Sequence, residues 1–304
     1  MSVDCPACDG PLRAWRRARD HEPAARATHL LLRCPACGSA VTAGPLPAFA
    51  AVHEAGAYAP GVPRGAAAAA PLLRAFDRRR LGLLARLESP PGPLLDIGAG
   101  RGRFVAHARA AGWDARGIEP SGRSAAAHVE AVALEAADVA PGSLGAGTLW
   151  HVLEHLADPG AALERVRGWL RPGGALLVGV PNLDSLQARL GGARWYHLDL
   201  PRHRTHFSAR GIETLLSRTG FEVVRTEHVL LEHNPFGLWQ SVVNQATPTP
   251  SWLFHALKRN APLRAADALP TVAALPLVPV ALAVEALAGG ARRGGTVAVL
   301  ARRR

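Results

Sequence analysis

The stretch Leu94-Leu-Asp-Ile-Gly-Ala-Gly-Arg-Gly102 constrains this chain more than any other. An apolar run of strand length carries a carboxylate, Asp96, near its end and passes into glycines at positions 98, 100 and 102. Glycine accepts positive φ and has no Cβ. Gly98, Gly100 and Gly102 therefore let a ligand approach bare backbone where the next helix begins. The dinucleotide fingerprint G-x-G-x-x-G would put its third glycine at position 103, and Arg103 there argues against NAD. A second acid, Glu119, follows Asp96 by 23 residues at the end of the next strand-like run. From that place it can accept hydrogen bonds from both ribose hydroxyls.

Around this turn, short apolar runs alternate with helical patterns, the signature of an α/β domain with a parallel sheet. Strands are predicted at Pro93–Ile97, Trp113–Ile118, Ala131–Leu134, Gly147–His151, Ala175–Val180, Phe221–Val229 and Gly295–Ala301. A helix is predicted over Phe104–Ala111, and another buries Leu163, Val166 and Leu170 at spacings of three and four. Arg171-Pro-Gly-Gly174 is expected to break the chain ahead of the fifth strand. Three regions follow: a cysteine-bearing module over 1–45, a linker with one helix around Pro71–Leu87 over 46–93, and the α/β domain over 94–304 with a hydrophobic insertion at about 231–294.

Cys5-Pro-Ala-Cys8 and Cys34-Pro-Ala-Cys37 form two knuckles separated by 25 residues. Zinc takes four thiolates in a tetrahedron, and each CxxC turn offers two. A redox motif needs only one pair. Two matched pairs with no cysteine left over therefore predict structural zinc on Cys5, Cys8, Cys34 and Cys37, with no open coordination position. The net charge of +11 comes almost wholly from arginine. Those arginines are spread through every segment without a localised stripe, which argues against nucleic acid as the partner. The start MSVDCPACDG has neither a basic beginning nor an apolar stretch, so a cytoplasmic protein is expected.

Residues 86 to 221 resemble the class I SAM-dependent methyltransferases. The family's first motif matches Asp96–Gly102, its ribose-binding acid falls on Glu119, and its adenine-contacting acid falls on Asp138. Leu153-Glu-His-Leu156 and Arg171-Pro-Gly-Gly174 match the later motifs in order. The resemblance implies S-adenosylmethionine (SAM) as cofactor and a Rossmann-like seven-stranded sheet whose last strand, Gly295–Ala301, inserts antiparallel. More narrowly, Trp150-His-Val-Leu-Glu-His-Leu156, Pro181-Asn182, Trp195-Tyr196, Pro201-Arg-His203 and His206-Phe-Ser208 are similar to bacterial small-molecule methyltransferases. These include ubiquinone-pathway O-methyltransferases and sugar methyltransferases with an N-terminal zinc piece. In ubiquinone-type relatives the Leu-Glu-His segment can hold a divalent ion with a further acid; here that position is His151.

Ligands of open α/β sheets bind beyond the carboxyl ends of the strands. This places Trp150, His151 and His155 at the site, and the insertion after strand five adds Tyr196, His197, His203 and His206. Oxygen or carbon acceptors need a base, a role that suits histidine. His203, in a polar segment without helical periodicity, is the first candidate, and His155 is the second. The acceptor is expected to be a small molecule or glycan. An RNA methyltransferase is a rival. However, the Asn/Asp-Pro-Pro-aromatic motif of base amino methylation is replaced by Trp150-His-Val-Leu, and cytosine C5 chemistry would need a free cysteine. A non-catalytic scaffold on the same fold is a third reading. His151-Val-Leu-Glu-His155 also fits the HxxEH pattern of zinc peptidases, but it lies at a strand end and Asp158-Pro159 interrupts just after. Ala268–Leu287 has membrane-like composition with prolines at 270, 276 and 279 and an acid at Glu285. It is expected to cap the substrate pocket or to make peripheral membrane contact rather than to span.

Overall fold

The computed structural model describes residues 4–21, 27–47, 66–121, 126–258 and 261–304. Residues 48–65 of the expected linker region lie outside them. The chain forms two compact units. One comprises residues 67–180, 212–226 and 298–304, and the other 1–66, 181–211 and 227–297.

The first unit is built on the expected sheet. In chain order its strands are β4 (Pro93–Ile97), β5 (Asp114–Ile118), β6 (Val129–Glu130), β7 (Leu144–Trp150), β8 (Leu170–Pro181), β10 (Phe221–Glu227) and β11 (Thr296–Arg303). They are ordered β10-β11-β8-β7-β4-β5-β6, so the last strand does insert between the fifth and sixth of the sheet. The pairs β4/β5, β4/β7, β5/β6 and β7/β8 are parallel. Such strands are covered on both faces, which is why β7 is buried from Leu144 to Leu149 and β8 from Ala175 onward. The helices of this unit are α1 (Ala66–Leu84), α2 (Arg103–Ala110), α3 (Pro159–Trp169) and α5 (Ala209–Arg218), the last of which begins in the second unit. Asp158 caps α3 by accepting from Ala161 N at 2.9 Å, with Pro159 in the first turn.

Most strand ends shift by one to three residues, and two elements differ in kind. The third strand is only Val129–Glu130, because pairing is limited to Gly117 and Ile118 of β5; Leu134, buried, instead starts a 3-10 turn over Leu134–Ala136. The Arg171-Pro-Gly-Gly174 segment does not end the ladder but bulges within β8, between the rungs Leu144↔Leu170 and Ala146↔Ala175. Gly173 has φ +77°, and a Cβ on Gly174 would stand 2.9 Å from the Arg171 carbonyl oxygen, so both glycines are required there.

The second unit contains a four-stranded sheet of β1 (Arg13–Arg19), β2 (Thr28–Arg33), β3 (Ala40–Thr42) and β9 (Thr205–His206), in that order and antiparallel. Leu31, Ala40, Trp195, Leu198 and Leu200 form one core cluster beneath it. The remaining helices are α4 (Leu186–Gly191), α6 (Asn234–Val243), α7 (Trp252–Leu257), α8 (Ala265–Ala273) and α9 (Val278–Gly290). Leu238, Trp239, Val243 and Ala281 make a second core where α6 packs on α9. The hydrophobic segment Ala268–Leu287 thus lies in two helices bent by 41° at their junction. Among the described residues no single helix is long and apolar enough to cross a membrane.

Candidate active site and metal centre

The glycine turn leaves the carboxyl end of β4. Gly98, Gly100 and Gly102 all have positive φ, of 74°, 56° and 75°. Gly98 packs where a Cβ would overlap a Val152 methyl, whereas nothing stands within 4 Å of where a Cβ on Gly100 would be. Gly98 is therefore used for packing and Gly100 for access. Gly102 is the N-cap of α2.

Asp96 is buried beside the turn and accepts a hydrogen bond of 2.5 Å from Thr148 Oγ1 on the neighbouring strand. Burial pushes its carboxyl up to about 6, against the pull of the Thr148 hydrogen bond and the Arg80 charge. Glu119, just past β5, accepts from Gly100 N at 2.9 Å through Oε2, and from Ser121 N at 3.1 Å and Ser121 Oγ through Oε1. Its carboxylate ties the glycine turn to the end of β5. A carboxylate has about four lone-pair positions, so it can accept further donors while holding this geometry. Asp138 follows the 3-10 turn, exposed between buried Ala137 and Val139.

Trp150 ends β7. Its ring occupies room that Gly179 leaves open, with the Arg80 guanidinium 4.2 Å from its centroid. The next residue, His151, holds a left-handed φ of 56°, and its Nδ1 lies 3.1 Å from Glu154 Oε1. Non-glycine residues in this conformation are strained and gather at functional turns. Glu154 and His155 are both buried in the 3-10 turn Leu153–His155.

Sequence reasoning missed the contribution of α1. Asp77 is fully buried and binds Arg103 Nη1 at 2.6 Å, and the same nitrogen donates to the Leu73 carbonyl at 2.7 Å. Arg80, also buried, lies over Trp150 and within 5.3 Å of the Phe104 ring. The only sequence signal is one acid among the arginines of Phe76-Asp-Arg-Arg-Arg80, a pattern that usually reads as solvated charge.

The second unit holds the other candidates. His203 is buried, and its Nδ1 donates to the His197 carbonyl at 2.8 Å. That bond places a proton on Nδ1, and Nε2 lies 3.8 Å from Asp199 Oδ2. His206, in β9, has Nε2 3.0 Å from Thr42 Oγ1, and burial holds it down at about 3. It is thus committed to the sheet as a neutral ring. Tyr196 packs edge-on against His197, Phe236 and Phe254.

The four cysteines converge. Each sulfur lies within 4.8 Å of the others, with Cys5–Cys37 at 3.6 Å and Cys8–Cys34 at 3.5 Å. The two knuckles repeat one backbone pattern. Cys5 N donates to Gly10 O and Asp9 N to Cys5 O, while Cys34 N donates to Ser39 O and Gly38 N to Cys34 O. Asp9 and Gly38 both have positive φ, 56° and 85°. A tetrahedral metal with bonds of about 2.3 Å to sulfur separates its ligands by roughly 3.8 Å, so the cluster could hold a metal ion with small adjustment.

The sequence matches the family model of a methyltransferase domain over residues 68–226. Among curated proteins it is 35% identical over 125 residues to an uncharacterized 37.1 kDa protein in transposon TN4556 of Streptomyces fradiae, covering 34% of this chain and 34% of that protein. It is 33% identical over 258 residues to a 23S rRNA (guanine(748)-N(1))-methyltransferase of Streptomyces fradiae, covering 77% of this chain and 81% of that one. The chain therefore spans about a third of the first relative's length and about four fifths of the second's. Among solved structures it is similar to a SAM-dependent methyltransferase from Archaeoglobus fulgidus, with TM-score 0.49, 16% identity and coverage of 77% of this chain and 94% of that one. It is also similar to the 1,6-didemethyltoxoflavin-N1-methyltransferase of Burkholderia thailandensis, with TM-score 0.43, 16% identity and coverage of 87% and 95%.

Proposed function

Because the chain belongs to the SAM-dependent methyltransferase family, we propose that it methylates an oxygen or carbon of a small-molecule or glycan acceptor, with SAM as donor. The observation that carries this reading is the turn after β4. There Gly100 offers open backbone, and the Glu119 carboxylate sits 2.9 Å from its amide. Gly98, Gly100 and Gly102 would hold the cofactor at the start of α2, Glu119 would accept from its ribose hydroxyls, and Asp138 would meet its adenine. Asp96 and Trp150 would border the cofactor's methionyl end. Bound SAM supplies a methyl on a sulfonium, which transfers by in-line displacement once a nucleophile is aligned at about 3 Å. The acceptor's proton would pass to Nε2 of His203, with His155 as the second candidate.

The acceptor class rests on two features. All four cysteines are gathered in one cluster, leaving none as a nucleophile for cytosine C5 chemistry. The segment after β7 reads Trp150-His-Val-Leu, without the motif of base amino methylation. A ribosomal RNA base, methylated at a ring nitrogen, is the second reading, favoured by the 33% identity to a 23S rRNA guanine-N1 methyltransferase. Structural zinc on the cysteine cluster completes the proposal, since four thiolates suit zinc and leave no catalytic opening.

Calorimetry with SAM and with NAD, then transfer of labelled methyl from SAM to separate pools of ribosomal RNA, soluble metabolites and lipid-linked glycans, tests the reading. Label in metabolites or glycans is the expected result. Label confined to RNA establishes the second reading, and NAD heat without SAM heat overturns both. Metal analysis of reductively purified protein should find one zinc per chain, lost in Cys34→Ser.

A further inference from the structure

Helices α8 and α9 bury their acidic side chains and expose most of their large aliphatic ones. On α8 the buried stripe is Asp267 and Thr271, four residues apart. Asp267 accepts from Thr249 N at 2.9 Å and from Thr249 Oγ1 at 3.0 Å, and Thr271 Oγ1 donates to the Asp267 carbonyl at 2.7 Å. The outer side of the same helix shows Leu269 at 70% exposure and Val272 at 62%. On α9 the buried stripe is Ala281, Glu285, Ala288 and Gly289. Glu285 accepts from Gly295 N at 2.5 Å and from Gln187 Nε2 at 3.4 Å. Outside, Val280 and Leu287 are 55% and 74% exposed, and Leu275 and Leu277 of the joining turn continue the surface. A helix on the surface of a soluble protein shows the reverse pattern, and a contiguous apolar face of this kind marks an interaction site.

Charge identifies the occupant. Between positions 258 and 293 the only acids are Asp267 and Glu285, both buried at 0% and 1% exposure. In the chain, exposed Lys258 and Arg264 precede the helix pair and exposed Arg292 and Arg293 follow it. We propose that this face docks on an anionic lipid bilayer, its aliphatic side chains entering the boundary between headgroups and acyl chains and the basic residues lying among the headgroups. A second copy of the chain fits worse. Two-fold pairing would bring basic rims together with no exposed acid in the segment to meet them. A crossing fits worse as well, since the pair is bent by 41° and keeps both acids turned into its own unit.

Co-sedimentation of the full chain with unilamellar vesicles tests this, independently of any methyl transfer. Vesicles of equal parts phosphatidylcholine and phosphatidylglycerol should pellet the protein, phosphatidylcholine alone should pellet much less, and added salt should weaken binding. The double variant Leu269→Glu with Val280→Glu should lower partitioning by at least about tenfold, because it removes two inserting side chains and adds two repelled charges. Both sites are exposed, so circular dichroism and thermal unfolding should match the wild type. Should they differ, Leu287→Glu provides a second variant with the same expected loss. Arg292→Glu with Arg293→Glu should weaken binding to the mixed vesicles only. The proposal is overturned if the wild type stays in the supernatant with the mixed vesicles or if the folded variants bind equally well. A wild-type dimer in sedimentation velocity that Leu269→Glu with Val280→Glu converts to monomer would also overturn it, by assigning the face to a second copy.

Discussion

Gly100 combines a φ of 56° with open space on its Cβ side. A valine there would be strained and would fill the approach to the backbone, so Gly100→Val should abolish SAM binding in calorimetry while the buried strands keep the protein folded. Glu119→Ala should weaken SAM by about 1.5–3 kcal/mol, the usual worth of hydrogen bonds to a charged acceptor. The loss should lie toward the upper end, because the same carboxylate also restrains Gly100 and Ser121. His203→Ala should cut turnover by roughly 10²–10⁴-fold with SAM affinity near wild type, as a general base does. Near-full turnover of that variant at saturating acceptor would remove His203 from the mechanism. At this scale the placement of Asp96 in β4, of the three glycines in a positive-φ turn, of Glu119 past β5 and of the cysteines in one cluster was legible, because each depends on particular residue types at short fixed spacings. Asp77 and Arg80 were not. Their place beside Arg103 and Trp150 arises when α1 packs, and no local pattern encodes that.

Single elements show where periodicity is sufficient and where it fails. β4 falls at Pro93–Ile97 as read, because an apolar run bounded by a glycine turn has one way to pair. The short β6 and the bulge in β8 were misread because a partner strand sets their length and register. In α9 the pattern hid a titrating group. Burial raises Glu285 from 4.5 to about 7. The folded state therefore holds the proton more tightly than the unfolded chain, so this stabilisation is complete below about pH 4.5 and is lost as pH rises through 7. Glu285→Gln resembles the protonated form. Relative to wild type it should gain stability with rising pH, at about 1.4 kcal/mol per unit across that window, in urea unfolding at several pH values. His21 and His206, held by burial at about 4 and about 3, work in the opposite sense and lose stability as pH falls below 6.5. They are common to both proteins and cancel in the difference. A difference that stays flat from about pH 5 to 8 would show that Glu285 is ionised throughout.

Across the whole molecule, the strands that follow the two cysteine knuckles are not a self-contained N-terminal bead. β3 pairs with β9, through Ala40↔His206 and Val41↔Thr205. Ser208 Oγ donates to the Cys37 carbonyl, and Thr42 Oγ1 donates to the His203 carbonyl at 2.8 Å. Arg33 binds Asp184 at 2.7 Å, and Leu31 and Ala40 share a core with Trp195, Leu198 and Leu200. Cysteine spacing is local information and suggests a module over 1–45. The pairing of a three-residue strand with a two-residue strand more than 160 positions later is not. The consequence is testable by truncation. A chain starting at position 67 would lose β1 to β3, leaving β9 as two residues without a partner and uncovering Trp195, Leu198 and Leu200. An unpaired two-residue strand over an exposed apolar cluster has no independent stability. Trypsin should therefore cut the truncated protein rapidly after Arg202 and Arg204, both of which lie in the segment that carries His203. In the full chain Arg202 is buried and pairs with Asp199, and Arg204 Nη2 donates to the Pro47 carbonyl, so the same bonds should resist cleavage. Cys34→Ser should fall between the two, because loss of the metal loosens the knuckles before the ladder between β3 and β9 gives way. Equal protection of residues 181–211 in the truncated and full-length proteins would show that this segment orders itself, and that β1 to β3 contribute nothing to the histidines beside them.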